Sequence, residues 1–276
     1  MRECWGILTK KQFTKNLDIW NKKLDKTQGG LGLNIVVDTH THTISSGHAY
    51  STIQENAKEA SVNGIQMFNM SDHGPAMKGA PFLYHFGNLG VIPDLLYGVR
   101  VIKGVELNII NYNGEVDLPE YYLKRLELVL ASFHDICIEP ATVEEHTNAA
   151  IKALANPYID VLAHSGNPQF QIDIEKVIKA ARDYNKLIEI NNHSFVVRTG
   201  SEKNCLEIAH MCKKYGVRIT TGSDAHISFS IGKFDNVIKL LEEAKVPEEL
   251  VVTTSVEKMD KYLLERKRRI EHFVKG

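Results

Sequence analysis

The chain has 276 residues, 43% of them hydrophobic, and a formal net charge of −1. That composition sustains a full core in one large domain the size of an α/β barrel, and it excludes a disordered or fibrous chain. Near-neutral charge leaves no electrostatic footprint for a nucleic-acid polyanion, and no apolar run approaches the roughly 20 residues of a membrane span.

In chain order, residues 1–33 read as an N-terminal extension, either helical or disordered. Phe13, Leu17, Trp20 and Leu24 fall at helical spacing among six lysines, and a Gly-Gly-Leu-Gly run closes the segment. From residue 35, short β-branched or apolar runs recur at 35–39, 66–70, 101–105, 128–132, 160–163, 187–191 and 218–222. Helix-period segments separate or follow them at 52–63, 141–155, 173–184, 202–215, 236–244 and 255–270. Ser51 and Thr52 open the first helix, Asn63-Gly64 closes it, and Asn156-Pro157 and Gly216 end two others. Residues 34–276 are therefore expected to form one domain of βα units, each about 30 residues long. The basic run Glu265-Arg266-Lys267-Arg268-Arg269 reads as a solvated helix end. Cys4, Cys137, Cys205 and Cys212 form no C-x-x-C pair, and the first residues lack a signal-peptide core. A cytoplasmic location is expected.

Seven histidines and two carboxylates stand out against this rhythm: His40, His42, His48, His73, Glu106, His134, His164, Asp224 and His226. They occupy the motifs D-T-H-T-H, G-H-A-Y, S-D-H-G-P, G-V-E, S-F-H, A-H-S-G-N-P and G-S-D-A-H. Six of them, His40, His73, Glu106, His134, His164 and Asp224, fall at or just past the end of a predicted strand. In an open sheet distant strand ends lie along a line, whereas in a barrel they converge on one mouth. The spacing thus predicts a seven-stranded, TIM-like (β/α) barrel. Imidazole and carboxylate suit Zn²⁺, and also Mn²⁺ or Fe²⁺. Nine ligands exceed the needs of one ion, which points to a multinuclear centre and hydrolytic chemistry. Glu106 and Asp224 are candidate catalytic residues as well as ligands. His85, after the second strand, and Arg198, after the sixth, are candidates for substrate contact. Asp72 either orients an imidazole or caps a turn. His146, His210 and His272 read as structural, and His193 falls outside the ligand set.

Taken together and in this order, the motifs resemble the PHP (polymerase and histidinol phosphatase) superfamily. The runs G-H-A-Y-S-T, H-F-G-N, E-I-N-N and G-S-E-x-N are similar to its YcdX-type probable phosphatases. The resemblance covers residues 35–270 and leaves 1–33 outside. It implies that residues 34–276 are a PHP metallohydrolase domain, a distorted seven-stranded barrel with a trinuclear zinc site. On that pattern His40 and His42 hold one ion with Glu106 and Asp224. Glu106 bridges to a second ion on His134 and His164, and His48, His73 and His226 hold the third. His193 stands where a small residue is expected. The implied activity is metal-dependent hydrolysis of a small phosphomonoester by a metal-bridging hydroxide. The alternatives are a PHP-type phosphodiesterase or nuclease and a non-catalytic metal-stabilised module. Neither nucleic acid nor membrane is an expected partner, and oligomeric state is not legible.

Overall fold

The computed structural model describes residues 32–275, so the expected helix around Phe13–Leu24 lies outside the described residues. Eight strands form within them: β1 (Val37–Thr41), β2 (Met67–Met70), β3 (Leu95–Leu96), β4 (Val99–Asn108), β5 (Leu128–Ser132), β6 (Val161–Leu162), β7 (Leu187–Asn191) and β8 (Ile219–Gly222). Seven pair in parallel in the order β1-β2-β4-β5-β6-β7-β8, and the short β3 runs antiparallel to β4. The ring nearly closes. His42 N–H donates to Ala225 O and Asp224 N–H to His40 O, each at 2.9 Å, and the Thr39 and Thr220 hydroxyls meet at 2.8 Å. The seven-stranded (β/α) barrel expected from the spacing is the observed fold.

The crossover helices are α1 (Ile53–Val62), α2 (Leu83–Asn88), α3 (Glu120–Leu123), α4 (Val143–Ala155), α5 (Ile174–Asp183), α6 (Ser194–Val197) and α7 (Ser201–Tyr215). After β8 come α8 (Asp235–Glu243) and α9 (Val256–Lys275). Local chemistry fixes their starts. Thr52 with Glu55, and Thr142 with Glu145, form reciprocal capping boxes, and Asp173 caps α5. With helices outside and side chains filling the inside, β1, β2, β5 and β7 are buried at every residue.

The structure departs from the sequence reading in four places. β1 starts two residues later than predicted, so His40 lies inside the strand. β4 runs ten residues, which puts Glu106 inside it too. The crossovers on either side of β4 carry only the six-residue α2 and the four-residue α3. Pro75, Pro81 and Pro93 break helical periodicity in the first of these. Finally, the basic run at 265–269 is not a solvated end. Arg266 is buried, and its Nε donates to Asp160 at 2.6 Å, while Arg269 donates to the other Asp160 oxygen. Asp160 also accepts from Val129 N–H at 2.9 Å, and the Tyr262 hydroxyl donates to its main-chain oxygen at 3.1 Å. This clamp docks α9, through Met259 and Tyr262, onto a core cluster that includes Val37, Met67, Ile102, Leu128 and Leu187. No helix among the described residues is long and apolar enough to cross a membrane.

Candidate metal centre

All nine predicted ligands gather in one cluster. The Nε2 atoms of His40 and His42 lie 3.1 Å apart. Both face Glu106 Oε2, at 3.2 and 3.5 Å, and Asp224 Oδ1, at 3.6 and 3.2 Å. The other Glu106 oxygen, Oε1, faces His164 Nε2 at 2.8 Å and His134 Nε2 at 3.4 Å. His48 and His226 meet Nε2 to Nε2 at 3.0 Å toward the outside. His73 stands between these groups: its Nδ1 is 2.8 Å from Glu106 Oε2, and its ring lies 4.3 Å from that of His42 and 5.0 Å from that of His48.

Residues two apart on a regular strand point to opposite faces. His40 and His42 escape this because the β1 pairing to β2 shifts register between Asp38 and Thr41. Asp38, fully buried, fastens the irregularity by accepting from the main-chain N–H groups of His40, Ser223 and Gly232. His164 and Asp224 reach inward by another route. Each sits two residues past its strand in a left-handed conformation, at φ 30° and 54°. Such backbone costs on the order of 1–3 kcal/mol at a non-glycine residue and is held only where surrounding contacts over-determine it. At Gly222 a Cβ would stand 2.3 Å from Glu189 Oε1 and 2.4 Å from the His40 Cβ, so β8 passes there only without a side chain.

The donor set fits divalent cations. Five rings spend their outer nitrogen on a hydrogen-bond acceptor. Nδ1–H donates from His40 to Glu189 (2.9 Å), from His42 to Ser46 Oγ (3.0 Å), from His48 to Ser46 O (3.1 Å), from His134 to Asn108 Oδ1 (2.7 Å) and from His226 to Asp224 O (2.9 Å). Their Nε2 atoms are then bare lone pairs aimed at one another and at carboxylates. Glu106 Oε2 and both His73 nitrogens are buried without a hydrogen-bond partner. The buried His40 and His42 lone pairs, 3.1 Å apart in a water-poor site, repel unless positive charge lies between them. The buried carboxylates also set a negative field that favours positive charge in the cluster. Burial opposes charge on His40, yet Glu189, Glu106 and Asp224 hold its pKa well above the ordinary value. Burial and the neighbouring His73 push His42 far down, and burial with Arg198 lowers His164 to about 4. Against burial, the surrounding imidazoles keep Glu106 and Asp224 well below the carboxylate range, Arg198 assisting at Asp224.

Several supporting residues carry no signal of the D-T-H-T-H kind. Glu189, inside β7, accepts from His40 Nδ1–H and from the His164 main-chain N–H at 2.9 Å. Asp117 accepts from Asn108 Nδ2 at 2.6 Å, which turns the Asn108 oxygen toward His134. Asp72 does both things expected of it. It accepts from Thr43 N–H at 2.7 Å, and Ser46 Oγ donates to it at 2.7 Å, which leaves that oxygen to accept from His42. Of the two substrate candidates, Arg198 reaches the centre, with Nη1 3.4 Å from Asp224 Oδ2. His85 turns to Asp72 instead, at 3.3 Å. The His193 ring stacks against that of His226 with centroids 6.0 Å apart, without joining the ligands. His146 is structural, its two nitrogens bonded to Gln171 O and Ala141 N–H.

Residues 38–193 match the family model of the PHP domain. The chain belongs to the PHP domain family. It is 68% identical over 238 residues to a probable phosphatase of Acetivibrio thermocellus, covering 86% of this chain and 99% of that protein. To a probable phosphatase of Caldanaerobacter subterraneus subsp. tengcongensis it is 55% identical over 245 residues, covering 88% and 96%. A crystal structure of histidinol phosphate phosphatase from Lactococcus lactis subsp. lactis, complexed with zinc, L-histidinol and phosphate, superposes with a TM-score of 0.54 at 16% identity. It covers 76% of this chain and 94% of that one, a likeness of fold.

Within this PHP domain, Glu189 holds two of the candidate ligands, His40 and His164, by hydrogen bonds. Glu189→Gln is expected to weaken metal binding by about 10–100-fold with all nine ligands intact. A competition titration against a chromogenic chelator reads this; unchanged affinity would remove Glu189 from the centre.

Proposed function

We propose that this PHP-family protein hydrolyses phosphomonoesters of small molecules, using three divalent ions held by the nine residues. The observation that carries the reading is the two-sided use of Glu106, with Oε2 facing His40, His42 and His73 and Oε1 facing His134 and His164. On this reading His40, His42, Glu106 and Asp224 hold one ion, Glu106, His134 and His164 a second, and His48, His73 and His226 a third. Zinc is the metal we assign, with manganese or iron as the alternatives an imidazole-rich set accepts. Bound ions of this kind activate water near neutral pH and neutralise phosphate charge.

The chain's own groups do the rest. Glu106 and Asp224 stay ionised beside the imidazoles and fix the ion positions. Arg198, half-buried and leaning on Asp224, presents its remaining N–H groups for a phosphate oxygen. A groove of about 400 Å³ runs from His134 past Asn167 and Gln169 to Arg198 and receives the leaving alcohol. Its size favours a small monoester over a polymer, as does the chain's near-neutral charge. A small phosphorylated metabolite is therefore the proposed partner, with no role for nucleic acid.

The test joins elemental analysis of the purified protein to rates on p-nitrophenyl phosphate, its diester and labelled single strands. The reading expects about three ions per chain and fastest turnover of the monoester. Faster cleavage of the diester or of single strands would replace it with a phosphodiesterase. Tightly bound metal without phosphate release from any ester would make the domain a non-catalytic metal module.

A further inference from the structure

The two crossovers flanking β4 carry only the short helices α2 and α3. Between α2 with the turn after it, and α3, lies a cavity of about 670 Å³. None of the nine ligands lines it. Its closest link to the metal centre is His85, which sits on its wall and touches Asp72 at 3.3 Å. Tyr84, Tyr121 and Tyr122 line the cavity and Leu89 supplies a buried apolar surface. Tyr84 and Tyr121 are 75% and 53% exposed, so each ring keeps surface open to a ligand.

The only charged group on the lining is Arg125. Its guanidinium lies 4.1 Å from the centre of the Tyr121 ring and donates to the Tyr121 hydroxyl. No carboxylate pairs with it among the described residues, and none lines the cavity. A guanidinium held flat by an aromatic face keeps its other N–H groups ready for an anion. The volume is that of a small-molecule site, not of a protein docking face. Open tyrosine faces take planar rings by stacking.

We propose that this cavity is a binding site, separate from the metal centre, for a small planar aromatic ligand that carries an anionic group. The ring stacks among Tyr84, Tyr121 and Tyr122, and the anion accepts hydrogen bonds from Arg125.

Naphthalenesulfonate is a suitable probe, because it pairs a flat ring with one anion and holds no phosphate ester to hydrolyse. Calorimetric titration of the metal-loaded, full-length protein is expected to show saturable binding at one site. Naphthylmethylammonium, the same ring with a cation, should not bind. Arg125→Gln is expected to weaken the sulfonate about tenfold or more, the loss of a charge-assisted contact. Tyr121→Ala should abolish binding. Both variants should keep wild-type metal content and unfolding midpoint, since neither residue touches the centre or the core. Saturating inorganic phosphate should leave sulfonate affinity unchanged. Equal binding of the ammonium compound, an unchanged Kd in Arg125→Gln, or displacement by phosphate would overturn the proposal. Displacement by phosphate together with an unchanged Kd in Arg125→Gln would place the probe at the metal centre instead.

Discussion

Glu106→Gln is expected to strip two ions from the centre at once and to lower phosphate-ester hydrolysis by roughly 10³-fold or more, several kcal/mol of lost transition-state stabilisation. The reason is that both carboxylate oxygens are in use, Oε2 among His40, His42 and His73 and Oε1 between His134 and His164. A glutamine offers one oxygen. Its amide N–H₂ would face bare imidazole lone pairs on the other side, and it has no charge to neutralise either ion. His164→Ala, by contrast, withdraws a ligand from one side only. Elemental analysis after dialysis separates the two cases: a variant at 106 that loses a single ion would show that Glu106 does not bridge.

The second large effect lies at the opposite end of the barrel. Asp160→Ala is expected to cost about 3–5 kcal/mol of unfolding free energy, because it leaves the buried guanidinium of Arg266, and the half-buried one of Arg269, without a counter-charge. Val129 N–H also loses its acceptor. The anchorage of α9 fails with the clamp. Urea unfolding reads the loss. Metal content should stay at the wild-type level, since no ligand lies within the clamp. A cost below about 1 kcal/mol would show that α9 is held by apolar packing alone.

Much of this was legible before any coordinates. The βα rhythm, the helix signals at Thr52, Asn156-Pro157 and Gly216, and the candidate ligands at successive strand ends lead to the barrel by local rules. What stayed hidden is instructive by residue. Glu189 sits in the apolar run L-I-E-I-N, and its charge inside a buried strand was a signal, but nothing local says that it meets His40, 149 residues away. Asp117 and Asn108 act on His134 through a contact that only the fold creates. The arginines at 266 and 269 looked like a charged helix end because helix-dipole logic explains such a run without a partner. Their partner, Asp160, opens a strand more than 100 residues earlier. The register shift in β1 has no sequence mark at all, yet it lets His40 and His42 face the same way.

The nine ligands are also unequal in how firmly the chain holds them. Glu106 and His40 belong to hydrogen-bonded strands and are fully buried. His164 and Asp224 hang on strained turns, and His48 and His226 stand on loops at the solvent edge. The cluster is therefore graded from a buried floor to a solvent-facing lip. On the three-ion proposal, an ion on the lip is expected to exchange with solution before one on the floor.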